Sequence, residues 1–450
     1  MTRGIGILAA LAMVICASGA AAEDGGGIVT AEIVPMFDVQ FQTYLYLAND
    51  RDFDRTEPVY SDNAQTSGYV LTTLRPGLTW APVDQITVRY QLEVGDNIWS
   101  RNNLDGQDPL APETAVVRHK EVWAEVRTRN EFFGVRSGFQ YFYDPTHLVL
   151  DRHMGVASAF LAWSPSGRVT LAAGQVPDTV YEGLDATGED RRMSDNNFEQ
   201  DDYVVALWSR HGADEWSFSP GVFARWDKTE INRPRVVVSP VFHVEGCAGS
   251  PQVCLDFDAV GQWGQHEHAG LDNRDVNILA AAAQAGVAVN LWPLGLDTSV
   301  LAFTADDGDK YDQYDTGFVY SGWSKSATMI LTLNSLHDQY NNVDETVAAQ
   351  GAGLVVADEE ISVNVTDYVR LFAIVGAGST LDGTNTDGEK FLGTEGHLGV
   401  ECSVYEDLAT FHLSGGGLLP GRAAAMLRNE IDREATDPLG VIQSSVTVQF

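Results

Sequence analysis

Basic residues are scarce in this chain: 28 Lys and Arg stand against 63 Asp and Glu, for a formal net charge of −35. Phosphate recognition needs a clustered basic face, so this balance excludes nucleic acid as a partner. Cysteine is scarcer still, with four in 450 residues, and a scaffold built on disulfides is excluded with it. Beyond the N-terminus, no stretch approaches the ~20 apolar residues of a membrane-spanning helix. No G-x-S-x-G, H-E-x-x-H, Walker loop or strand-to-helix GxGxxG occurs, so the sequence offers no enzyme signature and implies no cofactor. Disorder is excluded as well, because 44% of the residues are hydrophobic.

What is present begins with an export signal. Arg3 precedes an apolar run from Ile5 to Ile15, and Ala20-Ala21-Ala22 forms an A-x-A cleavage site before Glu23. Residues 1–22 are therefore expected to be a signal peptide, residues 23–36 a periplasmic lead-in, and residues 37–450 a single domain. In an oxidising compartment Cys247 and Cys254, which bracket a short Gly/Ser/Pro segment, are expected to pair. Cys402 shares an apolar face with Leu398, Val400 and Val404 and reads as a small hydrophobe.

The domain alternates with period two. At the C-terminus, Ile442, Ser444, Val446, Val448 and Phe450 fall on one strand face, and Gln443, Ser445, Thr447 and Gln449 on the other. Phe37 to Leu47 alternates likewise, as do Ile86, Val88, Tyr90, Leu92 and Val94 against Thr87, Arg89, Gln91 and Glu93. Leu279 to Leu291 has one uninterrupted apolar face; its alanines leave a helix open as the alternative to a strand. Tight turns are expected near 81–84, 129–130, 164–167, 211–214, 292–293, 324–325, 366–367 and 406–407. Longer acidic or Gly-rich connections lie at 178–200, 227–273, 305–316, 379–389 and 420–437. Short turns at one end and long loops at the other describe an all-β, transmembrane, antiparallel up-and-down barrel of about 18 strands in an outer membrane of the Gram-negative type. The terminal aromatic strand would close it and engage the barrel-assembly machinery.

With the apolar face in lipid, the polar face lines the interior. That assigns Arg75, Arg89, Glu93, Glu121, Glu125, Arg127, Arg136, Gln140, Arg370, Glu395, Glu401 and His412 to a pore, with Arg225 a further member. Arg at the bilayer midplane costs roughly 2–4 kcal/mol, which opposes the reverse register. Two readings of this mixed-sign lining stand: Arg–Glu pairs that stiffen the wall, or a guanidinium ladder that guides an anionic solute. The acidic runs at 178–202 and 306–315 read as solvated loop, with divalent cations shared with lipopolysaccharide as the alternative. Residues 383–394 imitate a calcium loop but fail at its first and twelfth positions, and His266-Glu267-His268 lacks a third ligand. No metal site is expected.

Gly134-Val-Arg-Ser-Gly-Phe-Gln140 followed by Asp144-Pro145 resembles the glycine- and glutamine-bearing strand of alginate-export-like outer-membrane porins. Leu392 to Glu395, Val404 to Phe411 and Gly415 to Gly421 resemble their closing hairpin. That resemblance implies an eighteen-stranded barrel passing an anionic exopolysaccharide through an arginine-rich pore. Arg75, Arg89, Arg127, Arg136 and Arg370 would supply the chemistry, by strand face and not by an aligned motif. The strong acidity departs from that picture. The function expected is a passive porin-like channel for hydrophilic solutes, polysaccharide included. The competing reading is a non-conducting barrel that binds surfaces or anchors the envelope.

Overall fold

The computed structural model describes residues 35–49, 66–98, 116–176, 202–213, 215–227, 235–266, 276–305, 318–319, 326–328, 330–331, 353–383, 386–404, 408–428 and 436–450. The expected signal peptide lies outside them. So do Ser324 and Lys325, Glu267 and His268, and nearly all of both acidic runs.

Nineteen strands run in chain order: β1 Met36–Asn49, β2 Thr66–Val83, β3 Ile86–Ile98, β4 Val116–Arg127, β5 Phe133–Tyr143, β6 Leu150–Ser164, β7 Gly167–Val176, β8 Asp202–Ala213, β9 Trp216–Asp227, β10 Arg235–Ala248, β11 Gln252–His266, β12 Val276–Leu291, β13 Leu294–Phe303, β14 Phe318–Val319, β15 Leu354–Thr366, β16 Val369–Ser379, β17 Phe391–Val404, β18 Ala409–Pro420 and β19 Leu439–Gln449. Among the described residues one helix, α1, spans Arg422–Arg428. All strands but β14 pair antiparallel with their sequence neighbours, β13 pairing β15, and β19 returns to β1 from Gln40↔Gln449 to Asn49↔Gly440. The result is a closed barrel of eighteen strands, with the edge problem removed by closure. Val39 and Phe450 exchange two backbone hydrogen bonds at the foot of the seam, and inside it Tyr44 donates to Gln443 at 2.9 Å.

The alternation settles which face is which. Leu279, Trp263 and Leu398 remain about two-thirds exposed on the outer face, whereas Ile278, Gln262 and His397, one residue away, are buried. Aromatic side chains stand exposed at the short-turn end, at Trp80, Phe132, Trp163, Trp216, Trp292, Tyr368 and Phe450. An apolar outer band edged by aromatics is the surface a bilayer requires, and it places the barrel in an outer membrane. Leu279 to Leu291 is strand, not helix: its side chains need both faces, one for lipid and one for the packed interior.

One hairpin was misplaced by the alternation. The segment 227–273, read as one long loop, contains β10 and β11, joined by a short turn at 249–251. Valines and Phe242 make β10, but the Gly/Ser/Pro/Cys composition of its turn imitates loop. The short connections therefore include 249–251. Cys247 and Cys254 are cross-strand partners beside it, bonded, with Cα atoms 3.9 Å apart. Cys402 is a free thiol on β17.

Candidate functional site

The described core of the molecule lies inside the barrel, where three connections fold inward. The first is the tip of the β5–β6 hairpin. Pairing of β4 with β5 stops at Val122↔Phe139, and pairing of β6 with β7 stops at Gly155↔Gln175. Beyond those points β5 and β6 stay bonded to each other, up to Tyr143↔Asp151, and leave the wall together. Gly138 sits at this hinge with φ 141°, where a Cβ would lie 2.1 Å from the Val122 carbonyl oxygen. Only glycine adopts that backbone at that distance.

The tip is held by its own turn. Asp144, fully buried, accepts from the backbone N–H groups of Thr146 (2.8 Å), Val149 (2.9 Å) and Leu150 (2.8 Å), and from the Thr146 hydroxyl. One face of the flap, with Phe142 and Met154, joins Leu148 and Leu150 in a core shared with Ala172, Ala206, Phe223, Ala280 and Ala282 of the wall. These small wall residues make room for it. The Phe142 ring meets Trp208 edge-on at 5.6 Å. Across the barrel, Gln284 of β12 donates to the Thr146 carbonyl oxygen at 3.4 Å and to Asp258 at 2.9 Å, and His243 Nδ1 lies 2.7 Å from the same Asp258.

The second inward segment belongs to the β13–β15 connection. β14 pairs parallel with β6 at Leu150 and Asp151, along the edge β7 has left free. Further on, Asp358 accepts from Ala327 N–H at 3.1 Å and Ser299 at 2.7 Å. Glu395 accepts from Ile330 N–H at 3.0 Å and Leu331 N–H at 2.7 Å, and also contacts His397 Nε2. The third segment is α1, whose Ala423 and Ala424 are wholly buried beside Leu392, Leu418, Leu439 and Val441.

Charged side chains occupy the rest of the inner wall, mostly in pairs. Arg75 lies 2.6 Å from Glu93, which Lys120 also approaches at 3.2 Å. Arg89 binds Asp38 in a bidentate pair and reaches Glu121 at 3.4 Å. Arg136 meets Glu125 at 2.7 Å and stacks over Trp123 at 4.2 Å. Arg370 pairs with Glu360, and Glu401 lies 3.9 Å from His412. Arg127 sits at the short-turn end, bonding the Asp84 carbonyl oxygen at 3.1 Å and Glu131 at 3.3 Å. Gln140 and Arg225 are buried.

Lys120 escapes a strict alternation for a local reason. The β3–β4 register jumps from Gln91↔Glu121 to Leu92↔His119, so Lys120 is the extra residue of a bulge and turns inward beside Glu121. A second group of acids, Asp256, Asp297, Asp358 and Glu360, clusters along β11 to β15, with Asp297 an electrostatic neighbour of the other three.

No family model and no curated protein matches the sequence. Solved structures share its fold: Pseudomonas aeruginosa OccK8 (OprE) at 7% identity and TM-score 0.56, covering 93% of this chain and 99% of the other; a BenF-like porin from Pseudomonas fluorescens Pf-5 at 8% and 0.56, covering 92% and 98%; and Acinetobacter baumannii OccAB3 at 7% and 0.57, covering 92% and 99%. At these identities the likeness carries the architecture alone: the chain has the eighteen-stranded barrel fold of these outer-membrane proteins.

Proposed function

We propose that this protein is a passive outer-membrane channel for small hydrophilic solutes, with a preference for cations. The observation that carries the reading is the pairing of the inner wall. Arg75, Arg89, Arg136 and Arg370 each hold a carboxylate of the wall itself, whereas Asp297 stands among the carboxylates of Asp256, Asp358, Glu359 and Glu360. On this reading Arg75, Arg89, Glu93, Glu121, Glu125, Arg136, Arg370, Glu395 and Glu401 line or brace the pathway, and Arg127 clamps its short-turn rim. Arginines already neutralised make a rigid wall and a poor anion ladder. The BenF-like and Occ relatives in fold support a porin in general; they do not support export of a polysaccharide. Three inward-folded connections also oppose a route wide enough for a polymer.

Planar-bilayer recording under a salt gradient tests this. Discrete conductance steps with a cation-directed reversal potential are expected, and Asp297→Asn should move that potential toward zero. An anion-directed potential overturns the selectivity. One observation favours a second reading, a blocked barrel: Glu93, Glu395, Asp258 and Gln284 are almost inaccessible on the inner wall. Protein that inserts without conducting would decide for it.

A further inference from the structure

The flap of β5 and β6 presents a second face. Opposite the buried Phe142 and Met154, Tyr141 and Tyr143 are 40% and 47% exposed. The Tyr143 ring stacks on His147 at 4.5 Å and 12°. Tyr141 lies 5.5 Å from Tyr143 and 5.2 Å from His153. Asp151, nearly buried behind the rings, accepts from the Tyr141 hydroxyl and lies 3.1 Å from His147 Nδ1.

The flap carries this strip down into the barrel. In a straight wall the step from Asp151 to Ala162 would hold the partners of Tyr143 and Arg168 roughly 35 Å apart. Yet Arg168, exposed near the short turn of β7, has Tyr143 as an electrostatic neighbour. The face that would meet lipid in an unfolded flap has been turned toward the lumen, and a lumen wall of water and charge has no packing use for bare rings.

We infer that Tyr141, Tyr143 and His147 form a stacking platform for a neutral sugar ring inside the channel. The proposal rests on the channel reading and adds its ligand class. The C–H groups of a pyranose face carry partial positive charge and lie flat on an aromatic π-face. Its hydroxyls both donate and accept, which suits a platform bordered by a carboxylate at Asp151 and a guanidinium at Arg168. A charged aryl ligand would meet one of those two with the wrong sign.

Single-channel recording tests the platform with a glucose disaccharide and a linear hexitol as the probes. Saturable, resolved blockades by the disaccharide and none by the hexitol are expected. Tyr143→Phe should block within about twofold of the native chain, while Tyr143→Ala and Tyr143→Leu should weaken blockade about tenfold. Heat-modifiable migration on a gel establishes which variants are folded, and the two-probe comparison on the native chain decides even if none is. Equal blockade by both probes, unchanged blockade in folded Tyr143→Ala, or blockade only by an aryl carboxylate or aryl ammonium overturns the inference. Open-channel steps without sugar blockade leave the channel reading standing; absence of steps removes that reading itself.

Discussion

The side-chain amide of Gln284, on β12, donates to the carbonyl oxygen of Thr146, at the tip of the β5–β6 flap. These residues are 138 positions apart in sequence, and their contact fastens the flap to the far wall. At 3.4 Å it is a weak bond, worth about 1 kcal/mol. Gln284→Ala should therefore shift the docked-to-free balance of the tip by roughly fivefold and raise open-channel noise and mean conductance. Unchanged current traces in a folded variant would show that the apolar face alone holds the flap.

Gly138→Ala tests the hinge. The added Cβ would strike the Val122 carbonyl oxygen, and φ 141° is closed to an L side chain. The strand must either straighten, which pulls the flap back into the wall, or fail to pair with β4. A loss of about 1–3 kcal/mol is expected, read as a lower temperature for the heat-modifiable gel shift. A variant as heat-resistant as the native chain would place the bend elsewhere.

How much of this was legible in the sequence differs by element. The barrel follows from period-two alternation, because lipid outside and water inside impose opposite demands on adjacent residues; the expected number of eighteen strands is met although the β10–β11 hairpin reads as loop. The flap did not follow. Once a hairpin leaves the wall both its faces meet protein or lumen, and Tyr141 alternating with Phe142 looks like any aromatic strand end. The usable signals were Gly138, the Asp144-Pro145-Thr146 turn, and the alanines Ala280 and Ala282 on a face that should have been polar. Lys120 was hidden by a single-residue bulge, which shifts parity without leaving a mark in composition.

Glu395 should behave as a latch. Its carboxylate is wholly buried and receives the Ile330 and Leu331 N–H groups. Glu395→Ala leaves both donors without their acceptor, at about 1–3 kcal/mol each. The variant should conduct more, with frequent flicker, as residues 330–331 lift from the wall. Glu395→Gln keeps one acceptor oxygen and should fall between. Identical conductance in all three proteins would show that Asp358 and the apolar contacts of Ile330 suffice.

The flap should also respond to pH through His147. Burial lowers the affinity of its imidazole for a proton, but the hydrogen bond to Asp151 and the charges of Asp151, Asp144 and Asp258 outweigh burial, and its pKa is raised above the usual 6.5. Tyr143 covers the ring. A raised pKa means that the docked flap binds the proton more tightly than a free one does. The contribution to docking is therefore complete below about pH 6.5 and disappears as pH rises through the docked value. Asp144, in the same turn, is pushed up by its burial against its hydrogen bonds, and His147→Gln separates the two groups. Because His147 is partly open to solvent, the effect is screened by salt. Conductance should rise as pH increases above about 6.5, more at low ionic strength. His147→Gln should flatten the profile. A profile that persists in His147→Gln would show that the pH response does not arise at this histidine of the flap.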